Sequence, residues 1–107
     1  MAMRTLRDIQ REIDTLIKEE WRSDYWAPLS SLARLTEEVG ELARELNHTY
    51  GEKPKKASEE EGSIATEMGD ILFILASLAN STGVDLDAAF EGVMTKYRSR
   101  DEQRWKA

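Results

Sequence analysis

The chain has 107 residues, 15 of them basic and 21 acidic, for a formal charge of −6. That length holds one domain and one core, and 40% apolar with 34% charged residues fits a soluble helical fold better than a disordered chain. The acidic balance excludes bare electrostatic binding to a nucleic-acid polymer or an anionic membrane, but not a polyanion held through metal ions. Cysteine is absent, which removes disulfide scaffolds, thiolate metal sites and cysteine nucleophiles.

Two prolines, six glycines and few β-branched residues argue against a many-stranded sandwich or barrel. The opening MAMRTLRDIQRE has no apolar run and no small-residue cleavage site. The longest mainly apolar stretch, 71–79, is about half of the roughly 20 residues a membrane span needs. These features predict a soluble, cytoplasmic protein in one domain over 1–107.

Thr5 followed by Asp8 matches a capping box. It opens a helix in which Leu6, Ile9, Ile13, Leu16 and Ile17 recur at helical spacing to near Trp21. Residues 22–27, RSDYWA, form an aromatic connector. Pro28 suits the first turn of a second helix, whose stripe of Leu29, Leu32, Leu35, Val39, Leu42 and Leu46 runs to about Asn47. The stretch 51–63, GEKPKKASEEEGS, breaks the periodicity and predicts an exposed polar loop. A third helix is predicted from about Ile64 to Asn80, ended by Ser81, Thr82 and Gly83. Asp85 or Asp87 is placed to cap a fourth, carrying Leu86, Phe90, Val93, Met94 and Tyr97. The fold class is therefore all-α, a four-helix bundle. Helix three is apolar around most of its circumference, which predicts a homo-oligomer over a central helix covered only by its own chain.

Two carboxylate clusters stand out: Glu37-Glu38-x-x-Glu41 on helix two and Glu67-x-x-Asp70 on helix three. At about 100° per residue, Glu38 lies beside the leucine stripe with Glu41 one turn along on the same flank, and Glu37 points away. Glu67 falls among Ile64, Ile71, Ile74 and Leu78, with Asp70 at the edge of that apolar face. An acid facing a core is costly, and converging acids repel one another. A divalent cation removes both problems, and an all-carboxylate cage suits Mg²⁺ or Mn²⁺. A buried ion pair from Arg34 or Arg44 to Glu67 is the metal-free alternative. A di-iron bundle would require Glu-x-x-His on two helices; His48, after Glu45, supplies one such unit and helix three supplies none, so magnesium is favoured.

The segments LARLTEEVGELAREL and EMGDILFILASLAN, with 25 residues between Glu41 and Glu67, resemble the two signatures of the MazG-like nucleotide pyrophosphohydrolases, in the short single-domain branch. The resemblance covers nearly the whole chain. It implies a helical bundle assembled as a dimer or tetramer, with Glu38, Glu41, Glu67 and Asp70 as ligands of Mg²⁺. It further implies hydrolysis of nucleoside triphosphates to monophosphate and pyrophosphate. A phosphoribosyl-ATP-type pyrophosphohydrolase is the alternative within the superfamily. A non-catalytic helical interaction protein is the alternative outside it, opposed by the presence of all four presumed ligands.

Lys96, Arg100 and Arg104 recur every four residues, and like charges at that spacing repel, so an anionic partner such as a triphosphate would favour the row. Asp101, Glu102 and the helix dipole offer a simpler balance. Lys53, Lys55 and Lys56 are loop candidates for phosphate contact, against a plain solvated loop. Trp26, after Tyr25 and before Pro28, sits where the family tends to carry base-contacting aromatics; an aromatic plug on the bundle end is the equal alternative. Asn80 is a candidate for substrate binding or for capping helix three. His48 reads as a helix C-terminal residue, Trp105 as packing, and Met68 and Met94 as core.

Overall fold

A computed structural model of the chain describes residues 3–51 and 63–100. Helix α1 (Leu6–Asp14) continues into a π-helical turn (Thr15–Glu20), followed by α2 (Pro28–Tyr50), α3 (Ile64–Thr82) and α4 (Leu86–Ser99). No strand occurs among the described residues. Helix α3 packs against both α1 and α2, and α4 packs against α1. The loop expected over 51–63 falls almost wholly outside the described residues, as do Lys53, Lys55, Lys56, Arg104 and Trp105.

Local sequence chemistry sets each helix start. The Thr5 hydroxyl accepts from the Asp8 amide and the Asp8 carboxylate accepts from the Thr5 amide, both at 3.0 Å, closing the predicted capping box. Pro28 occupies the first turn of α2. Asp85 is the α4 cap, accepting from the amides of Asp87 at 3.0 Å and Ala88 at 3.4 Å. Asp87 instead caps a different helix: its carboxylate accepts from the Leu6 and Arg7 amides at 3.2 and 3.1 Å. Arg7 in turn reaches Asp85 at 2.6 Å. The starts of α1 and α4 thus satisfy each other across the length of the sequence. The Arg7 hydrogen bond holds Asp85 below the usual carboxylate range.

The first helix reaches Trp21 as expected, but its last stretch widens into π geometry, with the Trp21 amide donating to the Leu16 carbonyl at 2.9 Å. Arg22 follows in the left-handed region at φ 50° and reverses the chain into the connector. Helix α3 runs two residues past the predicted Asn80, because Gly83, at φ 72°, provides the left-handed stop. A Cβ at Gly83 would meet nothing within 4 Å, so Gly83→Ala tests backbone conformation alone. It is expected to cost about 1 kcal/mol and lower the melting temperature by roughly 4–8 °C, read by urea and thermal unfolding.

The core is small: Ile13, Ile17 and Ala76 are buried, with Ile9, Tyr25, Phe73 and Leu86 packed against them. Ala76 is fully buried where α3 crosses the end of α1, a place for a side chain no larger than a methyl. Helix α2 corrects the simple reading of its leucine stripe. The residues it buries are Ser31, Glu38 and Glu45, spaced two turns apart, whereas Leu29 is 79% exposed and Leu32 and Val39 about half. Only Leu35 and Leu42 of that stripe are half-buried. Helix α2 therefore turns a polar line toward the chain's own interior and leaves most of the stripe outside it.

By length and composition α3 could cross a membrane, with a mean hydropathy of 1.2, a longer apolar helix than the stretch 71–79 implies. It also carries Glu67 and Asp70, which meet Glu38 of α2. Met68, Leu72 and Leu75 on the same helix are exposed, as are Phe90, Val93 and Tyr97 of α4.

Candidate metal centre and cleft

Where α2 crosses the start of α3, carboxylate oxygens of Glu38, Glu67 and Asp70 lie within 4.8 Å of one another. Glu38 is 6% exposed, and Asp70 opens to solvent. Glu67 is half-buried; its Oε2 is out of contact with water and has no hydrogen-bond partner. Burial pushes the Glu67 carboxyl above its ordinary value, and so do a hydrogen bond from its protonated form to Glu38 and repulsion from Glu38, Asp70 and Glu41.

A buried carboxylate oxygen without a donor, facing two further carboxylates, is what a hard divalent cation would satisfy. The donor set is all oxygen, which fits Mg²⁺ or Mn²⁺. Glu41 is not within the group of three: it is exposed and lies 3.6 Å from Arg44. It is still close enough to contribute to the shift of Glu67. Neither arginine considered as a partner for Glu67 reaches it. Arg34 instead pairs with Glu38 at 2.9 Å and with Glu37 at 3.2 Å, and Arg44 pairs with Glu41. Glu37 points outward as the helical geometry predicts.

The cluster borders a cleft of about 290 Å³ lined by Trp21, Asp24, Tyr25, Trp26, Arg34, Glu38, Asp70, Phe73, Ile74 and Ser77. Trp26 is therefore placed beside the acidic cluster. Trp21 joins it, a residue that the periodicity of the first helix marks only as a helix end. The π-helical turn and the left-handed Arg22 bring both indoles to one opening, an arrangement that the aromatic density of 21–26 hints at but spacing alone does not specify.

Asn80 sits behind this cleft. Its amide nitrogen donates to the Gln10 carbonyl and the Tyr25 hydroxyl, each at 2.9 Å, and its oxygen accepts from Gln10 Nε2 at 2.9 Å. Gln10 also donates to the Val84 carbonyl at 2.8 Å and accepts from the Leu86 amide at 2.9 Å. Tyr25 completes the knot by donating to Asp14. Burial, together with that bond to Asp14, pushes the phenol up to about 12, so it remains a neutral donor. The knot ties α1, the connector and the α3–α4 turn together and fixes the cleft wall at Tyr25. Sequence spacing offered no sign of Gln10.

Lys96 and Arg100 lie at the exposed end of α4 and do not line the cleft. The Lys96 ammonium lies 5.1 Å from the Tyr97 ring. His48 occupies the last turn of α2.

A model of the MazG nucleotide pyrophosphohydrolase domain matches residues 27–105. YpjD of Bacillus subtilis (strain 168), an uncharacterized protein, is 51% identical over 105 residues, which are 98% of this chain and 94% of YpjD. The crystal structure of Bacillus subtilis YpjD superposes with a TM-score of 0.81 at 49% identity, over 94% of this chain and 99% of that one. A Bacillus-conserved MazG protein, a nucleotide pyrophosphohydrolase, superposes with a TM-score of 0.76 at 43% identity, over 96% and 99%. The acidic pair of helices occupies the matched region, and the likeness extends over nearly the full length of both structures. The chain belongs to the MazG nucleotide pyrophosphohydrolase family and is a hydrolase of that class.

Proposed function

We propose that the enzyme is a Mg²⁺-dependent nucleoside triphosphate pyrophosphohydrolase, with Mn²⁺ an alternative ion, that clears non-standard or surplus nucleotides in the cytoplasm. The observation that carries this reading is the partnerless Glu67 oxygen facing Glu38 and Asp70 at the mouth of an aromatic cleft. Glu38, Glu67 and Asp70 would hold the ion, with Glu41 one helical turn along as the fourth ligand. When bound, the ion supplies charge neutralisation at phosphate oxygens and a more acidic water.

In the reaction, water oxygen bonds to the α-phosphorus, the bond from that phosphorus to the α–β bridging oxygen breaks, and pyrophosphate leaves with its electron pair. The chain's own side chains hold the reactants. Trp21 and Trp26 offer flat apolar faces to a base, and Phe73 and Ile74 exclude solvent beneath it. Tyr25, fixed by Asp14 and Asn80, keeps that wall in place. Orientation of this kind, with electrostatic stabilisation, supplies much of the acceleration when a phosphoanhydride is cleaved.

The exposed apolar faces of α2, α3 and α4 support a homo-dimer or tetramer. Lys96 and Arg100, at the exposed end of α4, are proposed phosphate contacts. The loop residue Lys53 is retained as a proposed phosphate contact.

Incubating the pure protein with Mg²⁺ and a panel of nucleoside triphosphates, non-standard bases and phosphoribosyl-ATP included, tests the reading. Monophosphate plus pyrophosphate is the expected outcome, from a species whose mass by light scattering is two or four times 12.2 kDa. Release of orthophosphate would assign cleavage to another bond. Absence of both turnover and calorimetric metal binding would overturn the proposal.

A further inference from the structure

We propose that Arg34 is a positioning residue for the anionic part of the substrate, held on Glu38 until a divalent cation takes that carboxylate. The inference rests on the pyrophosphohydrolase reading and adds a residue to it. The Arg34 guanidinium binds Glu38 at 2.9 Å and Glu37 at 3.2 Å. Glu38 is also one of the three carboxylates that converge within 4.8 Å. A divalent ion and the guanidinium therefore draw on the same carboxylate, and each repels the other.

The two ends of this pair differ in freedom. The Glu38 side chain is 7% exposed, whereas that of Arg34 is 48% exposed, so the carboxylate is fixed and the guanidinium can swing. Its other partner, Glu37, is 66% exposed, and a surface ion pair of that kind offers little resistance to release. Arg34 is the sole basic side chain among the described residues that line the cleft. Its planar fork matches the oxygens of a phosphate. Arg34 shares one cleft with Glu38, Asp70 and both indoles, so a released guanidinium is within the cleft that a nucleotide with its base on Trp21 or Trp26 would enter with its phosphates.

Arg34→Gln and Arg34→Lys test this in two measurements with opposite signs. In calorimetric titrations with Mn²⁺ alone, Arg34→Gln is expected to bind about tenfold more tightly than the parent, because the competing charge is gone. In Mg²⁺ assays with the best nucleotide of the panel, the same variant is expected to show a KM roughly tenfold to a hundredfold higher, with kcat within about threefold. Arg34→Lys, which retains the charge but loses the fork, should return Mn²⁺ affinity to the parent value and only part of the KM. Unchanged or weaker Mn²⁺ binding by Arg34→Gln would show that no competition exists and overturn the proposal. An unchanged KM would do the same for the substrate contact. If the parent turned over no nucleotide, the pyrophosphohydrolase reading and with it the substrate contact would fall, while the Mn²⁺ titration would still decide the exchange at Glu38.

Discussion

Glu67→Gln is expected to cut turnover about a hundredfold or more, while raising the melting temperature of the metal-free chain. Both effects follow from one side chain. Glu67 is half-buried with an oxygen that has no partner, and its carboxyl is pushed up by burial and by Glu38, Asp70 and Glu41. A carboxyl held above its unfolded value weakens the fold when it ionises. The penalty is full above the raised value and vanishes below the ordinary one of 4.5, where folded and unfolded chains are both protonated. Metal-free protein should therefore gain stability as pH falls through the raised value of Glu67, and the glutamine variant should lack that rise.

Asp8 and Asp85 act in the opposite sense at lower pH. The Thr5 hydrogen bonds hold Asp8 down and the Arg7 bond holds Asp85 down, so their contributions are present above the usual aspartate range and are lost as pH falls through the depressed values. Thermal unfolding in chelator across pH reads all three groups. A variant that melts lower than the parent, or one that keeps full activity, would contradict the role given to Glu67.

What the sequence made legible was local. The capping box at Thr5 and Asp8, Pro28 in the first turn of α2 and Glu67 on the apolar face of α3 each depend on residues within a turn or two. Their physical chemistry is complete at that range. The partnership of Glu38 with Glu67 and Asp70 followed from placing each acid around its helix axis and asking what could relieve the buried one.

The rest depended on how helices cross. Glu38 and Glu41 share a flank, but three residues advance about 4.5 Å along a helix, and Glu41 stands outside the group that Glu38 forms with Glu67 and Asp70. Asp87 reads as an α4 cap by position, yet it caps α1 from about 80 residues away because α1 and α4 begin side by side. Gln10 looks like an ordinary polar residue on an amphipathic helix. Its 8% exposure is produced by Asn80 and by the backbone of the α3–α4 turn, which no spacing rule relates to it. The stripe of α2 shows the same limit from the other side. Periodicity marked its leucines as a face that must be covered, without saying that the chain's own interior would take the line of Ser31, Glu38 and Glu45 instead.

Metal ion should produce the largest change in stability. Three converging carboxylates repel one another when empty, and an ion bound only by the folded chain stabilises it by about 2.7 kcal/mol at a hundred times its Kd. For a domain of this size that is a rise in melting temperature on the order of 10–20 °C. Mn²⁺ and Mg²⁺ should both produce it in wild-type protein, and Glu67→Gln should lose most of it, reversing the order of the two proteins seen in chelator. Protonation sets the sign of the pH dependence. Between the ordinary glutamate value and the raised one, the metal-free chain carries a proton on Glu67 that the ion must displace. Apparent affinity therefore falls as pH drops through that window, and each binding event releases protons. Calorimetry in two buffers of different ionisation enthalpy counts them directly. Binding without proton release in that window, or equal stabilisation of the glutamine variant, would place the ion on other carboxylates and remove Glu67 from the centre.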